Sequence, residues 1–225
     1  NENFEEFLDE KILVKDPFPS IYIYQINRDG YTQTGIWTTT SIDDYLNNVV
    51  RKHELTRSER EQSLIDYLQQ TGIDANPVLI TYNPEPEIEG ILGEITQNEP
   101  NITYAKENSE HKLWIIDQNP VIKSLIKAFA DLPSSYIADG HHRAAAASLY
   151  GIQRRKLNLK HRGDEEYNFF SSVYMNTDQL KIFGFNRLVK NLKGLLVSEF
   201  LEKLKTDFKV IDSGKAVEPA KMHSF

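Results

Sequence analysis

Residues 134–151 read SSYIADGHHRAAAASLYG, and few local structures accommodate that order. The apolar run ending at Ala138 has strand chemistry and the alanine-rich run after Arg143 has helix chemistry. Only Asp139 and Gly140 separate the strand from a helix opening at His141, so the chain passes between them through a tight turn. Glycine at that turn lets the backbone approach a ligand closely. The small side chains of residues 144–148 let the helix pack closely on a sheet, which would hold its first turn rigidly. A strand feeding directly into a sheet-packed helix belongs to mixed α/β architectures.

The rest of the chain fits that class. Phe4, Phe7 and Leu8 predict a short helix near the start. Residues 20–39 are two β-rich runs around Asp29-Gly30, a pair that favours the turn of a hairpin. Ser41 can cap a helix over 42–50, and Thr56 with Glu59 three residues later predicts a capping box for a helix ending at Gly72. That helix would bury Leu64, Ile65 and Leu68. Strands are expected at 76–84, 102–107, 111–117, 134–139, 167–176, 180–189 and 209–212. Helices are expected at 87–97, at 119–133 with proline at its start, and at 198–208 capped by Ser198. Residues 152–166 are polar and charged and predict a loop. The fold class is therefore α+β, mixed α/β, in one domain over 1–225 with a sub-boundary expected near 155–166. The chain begins with Asn1 and is read as a fragment of a longer protein.

Composition removes several functions. The chain has no cysteine, which excludes disulfides, thiolate catalysis and cysteine-bound metals. Its net charge is −7, from 26 Lys+Arg against 33 Asp+Glu, which argues against direct DNA binding. No apolar run approaches membrane-span length and no signal peptide is visible, so a cytoplasmic protein without a membrane partner is expected. No G-x-x-x-x-G-K-[ST] loop occurs. The basic run at 153–162 lacks the interleaved aromatics of a nucleic-acid groove.

The chemistry concentrates at 139–143. The first N–H groups of a helix are unpaired and its dipole is positive there, so cations in the first turn are unfavourable by about 0.3–1 kcal/mol each. His141, His142 and Arg143 all stand at that end. A phosphate would offset the arrangement by accepting from the N–H groups, the guanidinium and a histidine together. Asp139 has two readings: an N-cap that is purely structural, or a site residue that holds Mg²⁺ or orients a histidine. Adjacent histidines do not face each other on a helix, so a transition-metal site would need Asp139, one histidine and a remote ligand. The second candidate is RKHELT, residues 51–56, where His53 and Glu54 precede a helix. If it faces the 139–143 turn, Glu54 becomes a general base for a hydroxyl or water.

These segments, RKHELT, NPVLITY, HKLWIID and YIADGHHRAAAA in this order, resemble a widespread prokaryotic domain-of-unknown-function family, number one thousand and fifteen, whose members are labelled ParB/RepB-like or as predicted phosphatases. The family is similar to a superfamily of ParB partition proteins, sulfiredoxin and a free-serine kinase, which share a strand–turn–helix phosphate site. Sulfiredoxin has cysteine where His141 stands, and ParB has Gly-Glu-Arg-Arg where this chain has Gly140-His141-His142-Arg143. The serine kinase is the nearest in its turn. The resemblance implies a ParB/sulfiredoxin-like core, nucleotide or phosphate binding by His53, Gly140, His141, His142 and Arg143, and catalysis by Glu54, His141 and Asp139. It also implies Mg²⁺ at Asp139 with ATP or ADP, and a small-molecule phosphate acceptor or water as partner. Three functions follow as expectations: a nucleotide-dependent phosphotransferase or phosphohydrolase, a non-catalytic nucleotide-binding ParB-like regulatory module, or a structural fragment with spectator histidines.

Overall fold

A computed structural model describes residues 2–181, 190–212 and 214. Its contacts divide the chain into two compact units, 1–180 and 181–225. The 155–166 stretch lies inside the first unit.

The first unit is built on one eight-stranded mixed sheet. In chain order it contains α1 (Glu2–Asp9), β1 (Ile21–Arg28), β2 (Tyr31–Ser41), α2 (Ile42–Leu46), β3 (Val50–Arg51), α3 (Ser58–Thr71), β4 (Val78–Tyr82) and α4 (Pro86–Thr96). It continues with β5 (Ile102–Lys106), β6 (Ser109–Ile116), α5 (Asn119–Ala130), β7 (Ser135–Asp139), α6 (His141–Leu157) and β8 (Phe169–Asn176). The sheet order is β3-β7-β4-β8-β2-β1-β6-β5. The β3–β7 and β4–β8 pairs are parallel and the others antiparallel. The expected α+β class holds.

A single row of registered residues carries the core. Trp114, Ile23, Ile36, Tyr174, Ile80 and Ile137 are neighbours across six strands. Residues opposite one another share a sheet face, so the helices cover this face. The clusters on it show how they divide it. One joins Ile80 and Ile137 to Ile42 of α2 and Ala144, Ala145 and Ala147 of α6. The other joins Ile23, Ile36 and Trp114 to Ile88 and Leu92 of α4 and Leu125 and Ala128 of α5. Tyr174 borders both clusters. The alanines thus sit flat on the sheet and fix the first turn of α6 against β4 and β7.

Local chemistry explains most elements and corrects some expectations. Asp29 and Gly30 both take positive φ, 51° and 78°, at the hairpin turn. The Ser41 side chain accepts from the Asp43 N–H and starts α2, which stops at Leu46 because Val50–Arg51 leaves to pair with β7. Gly72 closes α3 in the left-handed conformation. The capping box at Thr56 does not form: the helix starts one residue later than that box requires, with Arg57 in the cap position and no side-chain cap. Of the three residues expected to be buried by α3, Ile65 is buried and Leu64 and Leu68 are half-buried. The loop expected from 152 is helical to Leu157, because Arg154, Arg155 and Lys156 complement the negative end of α6 and Arg155 is held by Asp43. Residues 167 and 168, expected to open a strand, belong instead to a 3₁₀ turn over Glu166–Asn168 before β8.

In the second unit, α7 spans Val197–Leu204. Ser198 is not its cap; the Glu199 side chain instead accepts from the Leu196 N–H at 2.8 Å. Residues 209–212 form no strand, having no strand partner among the described residues. Most of the strand expected at 180–189 lies outside the described residues.

Candidate functional site

The turn after β7 is shaped by its strand pairing. Leu79 pairs with Asp139 but Ile80 pairs with Ile137, so the ladder carries a bulge at Ala138. Bulges bend a strand and re-aim its side chains, and this one sits immediately before the turn. Gly140 follows at φ 98°, a conformation that disfavours any side chain, and occupies the cap position of α6 without a side-chain cap. Asp139 is therefore not the N-cap. Its side chain is 74% exposed and pairs with Arg143, Nη2 to Oδ2 at 2.5 Å.

Two helix N-termini meet at this place. Arg57, at the start of α3, donates its N–H to His142 Nδ1 at 3.4 Å, and farther along Gln69 of α3 meets Gln153 of α6. The helices therefore run parallel with their positive ends together. Neither has a side-chain cap, so their first-turn N–H groups open to one region.

The RKHELT segment closes over the turn. His141 is almost completely buried, with the His53 ring edge-on at 4.3 Å between centroids. The His53 N–H points at His141 Nε2 at 3.5 Å, and the Glu54 carboxylate lies 3.5 Å from His141 Nδ1. An acceptor Nε2 puts the imidazole proton on Nδ1, facing Glu54. Burial pushes the His141 imidazole below the ordinary histidine range; His53 and His142 add to this, while Glu54 and Asp139 oppose it. His141 is thus held as a neutral imidazole at neutral pH. At 3.5 Å its link to Glu54 is long for a hydrogen bond, and the Glu54 side chain remains 59% exposed and open to another partner. His53, Glu54 and His141 present ligand atoms within 4.8 Å of one another, so a divalent cation could also be shared among them; Asp139 is not part of that set.

Arg143 departs from the expected picture of a fork open to a ligand. Its Nη1 donates to the carbonyls of Asn76 and Pro77 at 3.1 and 2.5 Å, and its Nη2 to Asp139. Its charge at the helix start is offset from within. The guanidinium lies over Gly140, close enough that a Cβ there would stand 2.9 Å from it. Among the described residues, Nε–H and one Nη2–H have no acceptor.

The structure thus brings together every residue expected at the site: His53 and Glu54 on the β3–α3 segment, and Asp139, Gly140, His141, His142 and Arg143 at the head of α6. Sequence reasoning missed Arg57, whose N–H meets His142, and the carbonyls of Asn76 and Pro77. Main-chain groups carry no side-chain signal, so only the fold could reveal them. No helix among the described residues is long and apolar enough to cross a membrane. Neither a curated protein nor a solved structure matches the chain. One family profile matches residues 1–225 in full, and by that match the chain belongs to the family described as "Protein of unknown function (DUF1015)".

Proposed function

We propose that the protein is a nucleotide-dependent phosphotransferase or phosphohydrolase whose phosphate site is the joint N-terminal end of α3 and α6, with Glu54 as general base. The observation that carries this reading is the meeting of Glu54 with His141, 87 residues away in sequence, beside two uncapped helix starts. Free N–H groups and two converging dipoles favour a phosphate. Phosphoryl transfer asks mainly for positioning and charge stabilisation, which such a site supplies with few residues.

Each residue then has a part. The N–H groups at the start of α6, the remaining Arg143 donors and His142 hold phosphate oxygens. Glu54 takes the proton from an acceptor hydroxyl or a water as its oxygen attacks phosphorus. The bond to the nucleotide's bridging oxygen breaks, and the nucleotide leaves with that electron pair. Neutral His141, its Nδ1–H toward Glu54 and its ring against His53, positions the carboxylate. Asp139 has one oxygen free of Arg143 at an exposed position, which suits a Mg²⁺ that keeps most of its ligands from phosphates and water. Bound there with ATP or ADP, Mg²⁺ would neutralise phosphate charge. The resemblance to the free-serine kinase implies the same assignment of residues.

Titrating ATP, ADP and CTP with Mg²⁺, read by thermal shift and product release, tests the reading. Glu54→Gln should lower turnover about a hundred- to ten-thousand-fold with little change in nucleotide affinity. Saturable nucleotide binding without product in the parent chain would instead favour a regulatory module. Unchanged binding and turnover in both Glu54→Gln and Arg143→Ala would remove the proposal.

A further inference from the structure

A cavity lies away from the turn after β7. It occupies about 460 Å³ on the helix-covered sheet face, in the gap between the α2/α6 and α4/α5 halves of the core. Ile36 and Tyr174 line it from the sheet, Ile126 and Phe129 from α5, and Val49 and Asp44 from the α2 side. The size is that of small-molecule sites, about 300–1,000 Å³, and such sites pair an apolar lining with a few placed polar groups. Ser135, which also lines it, stands at the opposite end of β7 from Asp139, about 13 Å along the strand at 3.3 Å per residue.

The polar group that decides the ligand is Asp44. Asp43 and Asp44 are adjacent, yet their surroundings differ. Asp43 is held by both Arg155 Nη atoms, at 2.7 and 3.0 Å. Asp44 faces the cavity, and among the described residues its carboxylate has no hydrogen-bond or ion-pair partner and no lysine or arginine lines the cavity. Burial, with Asp43 beside it, pushes the Asp44 carboxyl above the usual range. Nearby, the Tyr174 hydroxyl is tied to Thr40 at 2.8 Å, and Thr40 to Ser172, so these hydroxyls are already engaged with one another. A half-buried carboxylate without a cation at the wall of an apolar cavity is complementary to an ammonium group on an apolar body.

We propose that this cavity is a second ligand site, taking a small primary amine whose ammonium meets Asp44 and whose apolar part lies against Ile36, Ile126 and Phe129. The site is independent of the nucleotide reading and survives its failure.

The probes are 2-phenylethylamine and its alcohol counterpart, 2-phenylethanol, titrated into the 225-residue chain and followed by calorimetry and by NMR of side chains at the cavity. The amine should bind saturably, and the alcohol at least about tenfold more weakly, since a hydrogen bond to a charged group outweighs a neutral one. Asp44→Asn should weaken the amine by a similar factor and leave the alcohol unchanged. Its fold should be kept or slightly stabilised, because the carboxylate it replaces is unpaired. Val49→Trp, at a rim position 55% exposed, should block both probes. Equal binding of amine and alcohol, undiminished amine binding by Asp44→Asn, or no saturable binding by the amine would each overturn the proposal.

Discussion

The two ends of α6 carry the same charge and opposite physics. At the C-terminal end Arg154, Arg155 and Lys156 stand where the dipole is negative, and Arg155 is forked onto Asp43 and bonded through Nε to the buried Asn168 Oδ1 at 2.5 Å. At the N-terminal end His141, His142 and Arg143 stand where the dipole is positive, and the structure offsets two of them. Arg143 takes Asp139 as its counter-charge and burial keeps His141 neutral. What remains at that end is a set of free N–H groups with an exposed carboxylate, Glu54, beside them. One end matches its cations to the dipole; the other keeps main-chain donors in reserve, as expected of a site rather than a joint.

The sharpest way to break this contrast is at the well-packed end. A Cβ at Gly151 would lie 2.5 Å from Ile42 Cδ1 and 2.5 Å from the Tyr167 carbonyl oxygen, and one of those neighbours is backbone. Gly151→Ala should therefore destabilise the protein by about 3 kcal/mol, read by chemical denaturation, with nucleotide affinity of the folded fraction unchanged. Arg155→Ala comes next. It removes the Asp43 pairing and leaves the buried Asn168 oxygen short of a donor, for a loss of about 2 kcal/mol.

At the other end the balance should invert. Gly140→Ala imposes a side chain at φ 98° and against Arg143, but the Arg143 guanidinium is the end of a flexible chain and can give way. A stability loss of about 1 kcal/mol is expected. Nucleotide binding should fall more, because the displaced guanidinium and the altered turn both belong to the proposed phosphate site. A variant that lost stability but bound nucleotide normally would place the ligand elsewhere.

The comparison also shows what could be read before the fold was known. The Asp29-Gly30 hairpin, the Ser41 cap, the Gly72 stop and the passage from β7 to α6 are each determined by residues in contact with their neighbours in sequence, and all were legible. The two-residue strand β3 was not, because Val50 and Arg51 become a strand only by pairing with β7. The length of α6 was hidden for the same reason: Arg155 belongs to a helix because Asp43, 112 residues earlier, is there to receive it. At the site, the residue types were legible and their states were not. Three cations at a helix start suggested a missing anion, whereas one is paired internally and another is uncharged through burial. That correction moves the weight of the site from Arg143 to the main-chain donors and Glu54.

The smallest expected effect on stability is the most informative about the site. Asp139 and Arg143 form an i,i+4 pair with the carboxylate largely exposed, and such pairs contribute about 0–1 kcal/mol. Arg143 also retains the carbonyls of Asn76 and Pro77 when Asp139 is neutral. Asp139→Asn should then shift the unfolding free energy by less than about 1 kcal/mol. If Asp139 acts only as the internal counter-charge, the released guanidinium should bind phosphate at least as well as before, with or without Mg²⁺. If it holds the nucleotide's Mg²⁺, the variant should lose the part of nucleotide affinity that depends on Mg²⁺ and keep the part that does not. Titrating ATP into parent and variant with Mg²⁺ and with EDTA separates the two, and a Mg²⁺ dependence identical in both would leave Asp139 with the counter-charge role alone.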